Sequence, residues 1–299
     1  MKPNWIRQNV LPVLAAMIWG SAFLAQSVGA EYMGPFTFNT ARSVVAFFFL
    51  LALCAVRRHF RGSAVRSWRE LFLAGGCCGT ALAVATWLQQ AGMATTQPGK
   101  AGFITALYIV IVPLIGKFFL RREAPSTIWV SVALAAVGLY LLSVTESLTM
   151  EPGDVYMILC AFVFSVQILL IDHFSRRVDG VAMSCVQFFT MTVVSTLGAA
   201  VTAESVSAEA LRVCLLPILY AGIFSSGVAY TLQILAQKDS NPMVVSLLLS
   251  LEAVFAALSG ALFRHERMTG RELLGCVLMF AAVVIAQIPR DALASRHEQ

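Results

Sequence analysis

Charge is scarce in this chain. Of 299 residues, only 12% are Asp, Glu, Lys or Arg and 59% are hydrophobic, whereas a soluble domain carries about 25% charged and about 45 to 50% apolar residues. The 21 basic and 16 acidic side chains are bunched between long apolar runs and cannot coat a soluble particle. A soluble globule is excluded on that count, and lipid is the solvent the composition calls for. The net charge of +5 is not gathered into a basic stripe with stacking aromatics, so no nucleic-acid partner is expected.

Other absences narrow the chemistry. The seven cysteines, Cys54, Cys77, Cys78, Cys160, Cys185, Cys214 and Cys276, all fall in apolar segments, are odd in number and show no CxxC spacing. They imply neither a disulfide framework nor a zinc site. His59, His173, His265 and His297 lie in loops or tails, none at HxxxH spacing, and no GxSxG or Walker sequence occurs. The stretch Gly75 to Thr80 lacks the ending of a phosphate-cradling loop and reads as helix packing. No metal, cofactor or catalytic constellation is expected. Without a nucleotide site, a gradient is the remaining energy source.

Long apolar runs are what the chain has in abundance. Splitting them at charge clusters and at Pro, Gly and Asn gives ten segments, near 10–29, 36–56, 71–92, 101–120, 127–145, 154–172, 182–203, 213–236, 243–263 and 272–289. Each is long enough to cross a bilayer as a helix, and the strict alternation of a membrane barrel is absent. Segment 1 ends in Val28-Gly29-Ala30, which resembles a signal-peptidase site. It is nevertheless longer than a signal core and contains Trp19 and Gln26, so it reads as a retained span. Interiors rich in small residues, such as Gly75-Gly76, Gly79, Gly222 and Ser225-Ser226-Gly227, allow close helix approach.

Orientation follows from the basic residues of the short loops. With both termini inside, the cytoplasmic regions hold 14 Lys and Arg and the opposite side holds 5, namely Lys100, Arg212, Arg264, Arg267 and Arg271. The acids Glu146, Glu151, Asp154, Glu204 and Glu209 then lie outside.

The two halves also resemble each other. Arg121-Arg122-Glu123 before a helix with Gly138 matches Arg264-His265-Glu266 before a helix with Gly275, the acids standing 143 residues apart. Gln97-Pro98 pairs with Asn241-Pro242, Trp87 with Tyr230, and Gln90 with Gln233, at offsets of 143 or 144. Five spans per copy is an odd number, so the second copy, 146–299, enters the membrane upside down relative to the first, 1–145. Such inverted repeats place a substrate site near the midplane where the copies meet.

Trp19-Gly20-Ser21 in segment 1, Pro35 followed seven residues later by Arg42, and the two apolar-Arg-x-Glu helix ends resemble the EamA-like branch of the drug/metabolite transporter superfamily, over nearly the whole chain. The second copy departs from the first: Phe164-Ser165 replaces Trp19-Gly20, and Gln187 stands where Arg42 would be expected. The resemblance implies a central cavity lined mainly by segments 1, 3, 4, 6, 8 and 9, with 5 and 10 peripheral. It also implies export of amino acids or related metabolites, exporters of aromatic amino acids being the nearest type.

Ionisable groups inside a membrane call for an explanation, since each costs about 2.5 to 3.5 kcal/mol on insertion scales. Glu252 lies about ten residues into segment 9. It reads either as a proton-coupling or ammonium-binding acid or as an acid locked to a polar partner. Arg42 sits too deep in segment 2 to be loop, and either pairs structurally or holds a substrate carboxylate. Lys117 snorkels beside Arg121 and Arg122. Gln26, Gln89, Gln90, Gln167 and Gln233 should face the bundle, lining a cavity or bonding helix to helix. Trp19, Trp87, Tyr108 and Tyr230 lie away from the interfacial belts, and their rings suit either an amphiphilic substrate or plain core filling.

The expected protein is therefore an all-α membrane protein of ten transmembrane helices in two inverted five-helix repeats. It exports small amphipathic metabolites by alternating access across a bacterial cytoplasmic membrane, with both termini cytoplasmic. Its expected cavity is Trp19, Gln26, Trp87, Gln90, Tyr108, Gln167, Tyr230, Gln233 and Glu252, with Arg42 for ion pairing. Lipid and a small molecule are the expected partners, and the oligomeric state is left open, a monomer being sufficient. The alternatives are a sugar-phosphate or nucleotide-sugar carrier, which would call for several mid-membrane cations, a lipid scramblase, or an intramembrane enzyme.

Overall fold

Apolar runs with no water to serve their backbone close their own hydrogen bonds as helices. The computed structural model describes residues 6–61, 65–96, 98–143, 151–238, 240–263 and 268–287, and no strand occurs among them. The helices are α1 (Leu11–Tyr32), α2 (Pro35–Arg61), α3 (Trp68–Gly92), α4 (Pro98–Thr105), α5 (Tyr108–Phe118), α6 (Ser126–Ser143), α7 (Pro152–Ser175), α8 (Gly180–Val201), α9 (Ala208–Tyr220), α10 (Tyr230–Gln237), α11 (Pro242–Leu249), α12 (Glu252–Phe263) and α13 (Gly270–Ala286). A π-helical stretch, Ala221–Ala229, joins α9 to α10, so that Ala208–Gln237 runs as one span. Among the described residues, eight spans are long and apolar enough to cross a membrane; α6 and α13, of 18 and 17 residues, are shorter. Lys2, Gln97, Glu146, Arg264, His265, Glu266, Arg267, Arg290 and Arg296, on which parts of the topology and repeat readings rest, lie outside the described residues.

Two of the expected segments are not continuous helices. Segment 4 breaks at Ala106-Leu107 and segment 9 at Ser250-Leu251. At each break the backbone tightens to bonds spanning three residues: Leu107 N to Ile104 O and Ile109 N to Ala106 O in the first, Leu251 N to Leu248 O and Ala253 N to Ser250 O in the second. In the second, the hydroxyls of Ser246 and Ser250 also donate to the carbonyls of Met243 and Leu247, a competition that loosens helices.

Small residues set the helix seams. At the crossing of α6 and α13, a Cβ at Gly138 would lie 2.8 Å from the Gly275 carbonyl oxygen, and one at Gly275 would lie 2.6 Å from that of Gly138. Each helix thus rests its glycine on the other's backbone. The α2–α8 pair is antiparallel: Phe36 reaches Gly198, Thr192 donates to Ser43, Phe47 meets Phe189, and Arg57 pairs with Asp179 at 3.0 Å. The α3–α7 pair is antiparallel too, with Gly92 on Gly153 at one end and Leu71 and Ile171 in one cluster at the other.

Polar contacts close the ends. Ala203 takes a left-handed φ of 51° just past α8, and the next residue, Glu204, caps α2 by accepting from Phe36 N, Thr37 N and Thr37 Oγ1 at 2.7 to 3.2 Å. Helix α7 is held at both ends: Asp154 pairs with Lys100 at 2.5 Å and accepts from Thr96, and Asp172 pairs with Arg122 at 2.6 Å. The same α7 therefore bridges the start of α4 and the segment that follows α5.

Candidate functional site: a polar cavity between broken helices

The site begins at a glycine. A Cβ at Gly20 would stand 2.6 Å from the Glu252 carbonyl oxygen and 2.7 Å from Ala256 N, so the absence of a side chain lets α1 lie directly on α12. That approach brings Trp19, the preceding residue, and Glu252, the first residue of α12, to one cavity. A carboxylate at its own helix N-terminus lies at the favourable end of the helix dipole. Tyr108 is likewise the first residue of α5, and its hydroxyl donates to Glu252 Oε1 at 3.1 Å. The two breaks thus meet side chain to side chain. Their registers agree, because Thr105 and Tyr108 precede Leu249 and Glu252 by the same 144 residues, and all four line the cavity.

The remaining walls come from Phe23 and Gln26 of α1, Arg42 of α2, Gln89 of α3, Phe164, Gln167 and Ile168 of α7, Ser225 of the π stretch, and Tyr230 and Gln233 of α10. Helices α6, α8 and α13 contribute nothing to this lining. Trp19 is fixed by Nε1 donating to Ser225 O at 3.0 Å, and its ring lies 4.7 Å from that of Tyr230 at an angle of 56°. Phe188 meets the same Tyr230 ring edge-on at 5.7 Å. The cavity holds about 40 Å³, room for a few water molecules.

Several buried polar atoms of the lining residues lack partners. Gln26 Oε1, Arg42 Nε and Nη2, both amide atoms of Gln167, and Gln233 Oε1 are buried without a hydrogen bond. A buried polar atom left unpaired costs about 1 to 3 kcal/mol, so a native fold tolerates such a cluster where a ligand or water completes it.

Of the expected residues, Trp19, Gln26, Arg42, Tyr108, Gln167, Tyr230, Gln233 and Glu252 are brought together here. Trp87 and Gln90 are not. Trp87 stacks on Phe36 at 5.2 Å and meets Tyr156 edge-on at 6.0 Å, and Gln90 donates through Nε2 to Gln26 O at 2.9 Å, bonding α3 to α1. Gln237 bonds α10 to α7 in the same manner, through Ile168 O at 2.8 Å. The α3 residue that does reach the cavity is Gln89, adjacent in sequence and about 100° round the helix. Hydropathy could not separate the two, because α3 is apolar on every face. Thr105, Leu249 and Ser225 carried no signal either; only the breaks and the π stretch expose them. Lys117 lies 5.2 Å over the Trp129 ring, away from the cavity. Among the described residues no group of His, Cys, Asp or Glu could hold a metal ion.

Apolar spans enclosing a small polar cavity, with one acid and one cation in its lining, define a multi-pass membrane protein with an internal site rather than a membrane anchor. The chain belongs to the EamA-like transporter family, which it matches twice, over residues 8–144 and 151–287. It is similar to an "Uncharacterized transporter" of Archaeoglobus fulgidus, 30% identical over 275 residues, 92% of this chain and 84% of the relative. It also resembles the "Uncharacterized inner membrane transporter YedA" of Escherichia coli K12, 23% identical over 93% of this chain and 92% of the relative. A crystal structure with 17% sequence identity shares the fold over 98% of this chain and 99% of its own, with a TM-score of 0.80. The family and these relatives indicate a transporter rather than an enzyme.

Proposed function

We propose that the protein is a secondary transporter that exports amino acids or similar small amphipathic metabolites by alternating access around the cavity between the broken helices. The observation that carries this reading is the lining itself. Aromatic faces (Trp19, Tyr108, Tyr230) alternate there with unpartnered amides (Gln26, Gln167, Gln233) and with Arg42 and Glu252. Such a surface suits a molecule with one apolar body and a few polar groups. At about 40 Å³ the cavity is too small for an amino acid, so on this reading the structure is a closed state and loading requires the helices to part. A single Lys or Arg in the lining argues against doubly anionic sugar-phosphate cargo. The preference for aromatic amino acids rests on the three rings alone.

In the same proposal residues 1–145 and 146–299 are two copies inverted in the membrane. The antiparallel α2–α8 and α3–α7 pairs, the mutual seating of Gly138 and Gly275, and the common register of the two breaks all support that arrangement. Ion pairs gather Arg57, Arg122 and Arg176 with Asp172 and Asp179 at one face and Lys100 with Asp154 at the other, and the excess of Lys and Arg in the loops of the first face supports its being cytoplasmic by the positive-inside rule. The inner-membrane relative in Escherichia coli supports the same location.

Counterflow of a labelled amino acid panel in proteoliposomes tests the reading. Flux of at least one amino acid is expected, and absence of flux for all of them would direct the search to other amphiphiles. Glu252→Gln keeps shape and one hydrogen-bonding oxygen while removing charge and titration. Its flux should fall at least about tenfold, or lose its pH dependence, a change of about 1.4 kcal/mol or more in the barrier. Wild-type flux with a wild-type pH profile would remove Glu252 from the mechanism.

A further inference from the structure

We propose that Arg42 reads the substrate's carboxylate, engaging it side-on through Nε and Nη2, so that the cavity selects monocarboxylates over their neutral amides. The inference rests on the transport cavity proposed above and names the chemical group that the cavity requires.

Among the described residues, Arg42 is the only one that α2 contributes to the lining and the only Lys or Arg in it. It is 2% exposed. Its Nε and Nη2 are both buried without a hydrogen-bond partner. No acid among the described residues pairs with it: Glu252, the one carboxylate among the described lining residues, accepts from Tyr108 instead, and Asp154, Asp172 and Asp179 pair with other cations. Its neighbour is the face of Phe38, 5.8 Å from the guanidinium carbon.

The two unpartnered donors are not arbitrary atoms of the guanidinium. Nε–H and one N–H of Nη2 lie along the same edge and point in parallel, at the spacing of the two oxygens of a carboxylate. That edge is the geometry that distinguishes Arg from Lys, whose ammonium offers a point charge. A cation held inside a membrane without an anion is strongly disfavoured, and a helix-anchoring role would have consumed these donors on a carbonyl or a carboxylate of the protein. Both are unused.

The rest of the lining fits the same molecule. Gln26 and Gln233 each offer an unpartnered amide oxygen, acceptors suited to an ammonium or hydroxyl elsewhere on the ligand, and Trp19 and Tyr230 form an aromatic wall. The counterpart of Arg42 in the second half, Gln187, is neutral, fully buried and outside the lining. With Arg42 as its one cation among the described residues, the cavity supplies one cationic fork, which matches one carboxylate per substrate.

The test uses matched pairs on the full-length protein in lipid nanodiscs, read by thermal shift and by quenching of tryptophan fluorescence. L-phenylalanine is compared with L-phenylalaninamide, L-leucine with L-leucinamide, and 3-phenylpropionate with 3-phenylpropanamide. On the wild type, at least one carboxylate should bind about tenfold or more tightly than its amide, as the loss of a charge-assisted hydrogen bond predicts. Amides that bind as well as their acids, or no binding by any carboxylate, would overturn the proposal without recourse to a variant. Arg42→Gln should abolish the difference within each pair, and Arg42→Lys should keep a weakened preference. Retention of the full preference in Arg42→Gln would overturn the proposal as well. Carboxylate-selective binding without counterflow would sink the transport reading and leave this one standing, so the two failures are distinguishable.

Discussion

Gly20 shows how far a single residue reaches in this protein. Its missing side chain lets α1 touch the backbone of α12, and that contact sets Trp19 and Glu252 on one cavity. Gly20→Ala would push a methyl group against the Glu252 carbonyl and Ala256 N, neither of which is the free end of a side chain. The variant should lose about 1 to 3 kcal/mol of stability, the usual cost of overpacking, seen as a lower melting temperature of purified protein. An unchanged melting temperature would mean that the α1–α12 seam is looser than the geometry indicates. Residues that chemistry makes costly in lipid were legible one by one: Glu252, Arg42 and the glutamines had to face the interior, and they do. Gln89 and Gln90 were not separable, because the choice between lining and bonding depends on a rotation of α3 that neighbouring helices impose.

At the scale of elements, the seams carry the architecture. Helices α6 and α13 cross where Gly138 and Gly275 each meet the other's carbonyl oxygen, a close approach of the sort that stabilises helix pairs in membranes through packing and not through hydrophobicity. Gly275→Val should separate the pair at a cost of about 1 to 3 kcal/mol, lowering the yield of monodisperse protein while leaving the binding preferences of surviving protein unchanged, since neither helix lines the cavity. Altered ligand preference in that variant would show that the seam is coupled to the site. The helix breaks were the features most hidden from hydropathy. Segments 4 and 9 are long and mostly apolar on both sides of their breaks, and such a run reads as a continuous helix whether or not its turns tighten midway. Ser246 and Ser250 are a visible cause for the second break; the first has no comparable signature in its side chains.

For the molecule as a whole, the proposed orientation makes a plain forecast. Single cysteines introduced beside Glu151 and beside Glu204, in a background lacking the native thiols, should react with an impermeant maleimide in intact cells. Those beside Arg177 and beside Lys238 should react only after lysis. Labelling of the four sites in any other grouping would overturn either the orientation or the count of crossings between them. The forecast draws on two independent sources, the distribution of basic residues along the chain and the side of the bundle on which the described loops meet.

The sequence by itself determined that this is a helical membrane protein, because scarce charge and long apolar runs leave the backbone no other way to satisfy its hydrogen bonds in lipid. It also determined which polar side chains must turn inward, because their cost in hydrocarbon does not depend on what they meet. Tertiary structure decided what they meet. Only packing could place Tyr108 on Glu252 across two breaks 144 residues apart, draw Trp87 and Gln90 away from the cavity, and bury one edge of Arg42 without a partner. Those outcomes depend on helix rotation and register, which residues far apart in the chain set together and which no local pattern records.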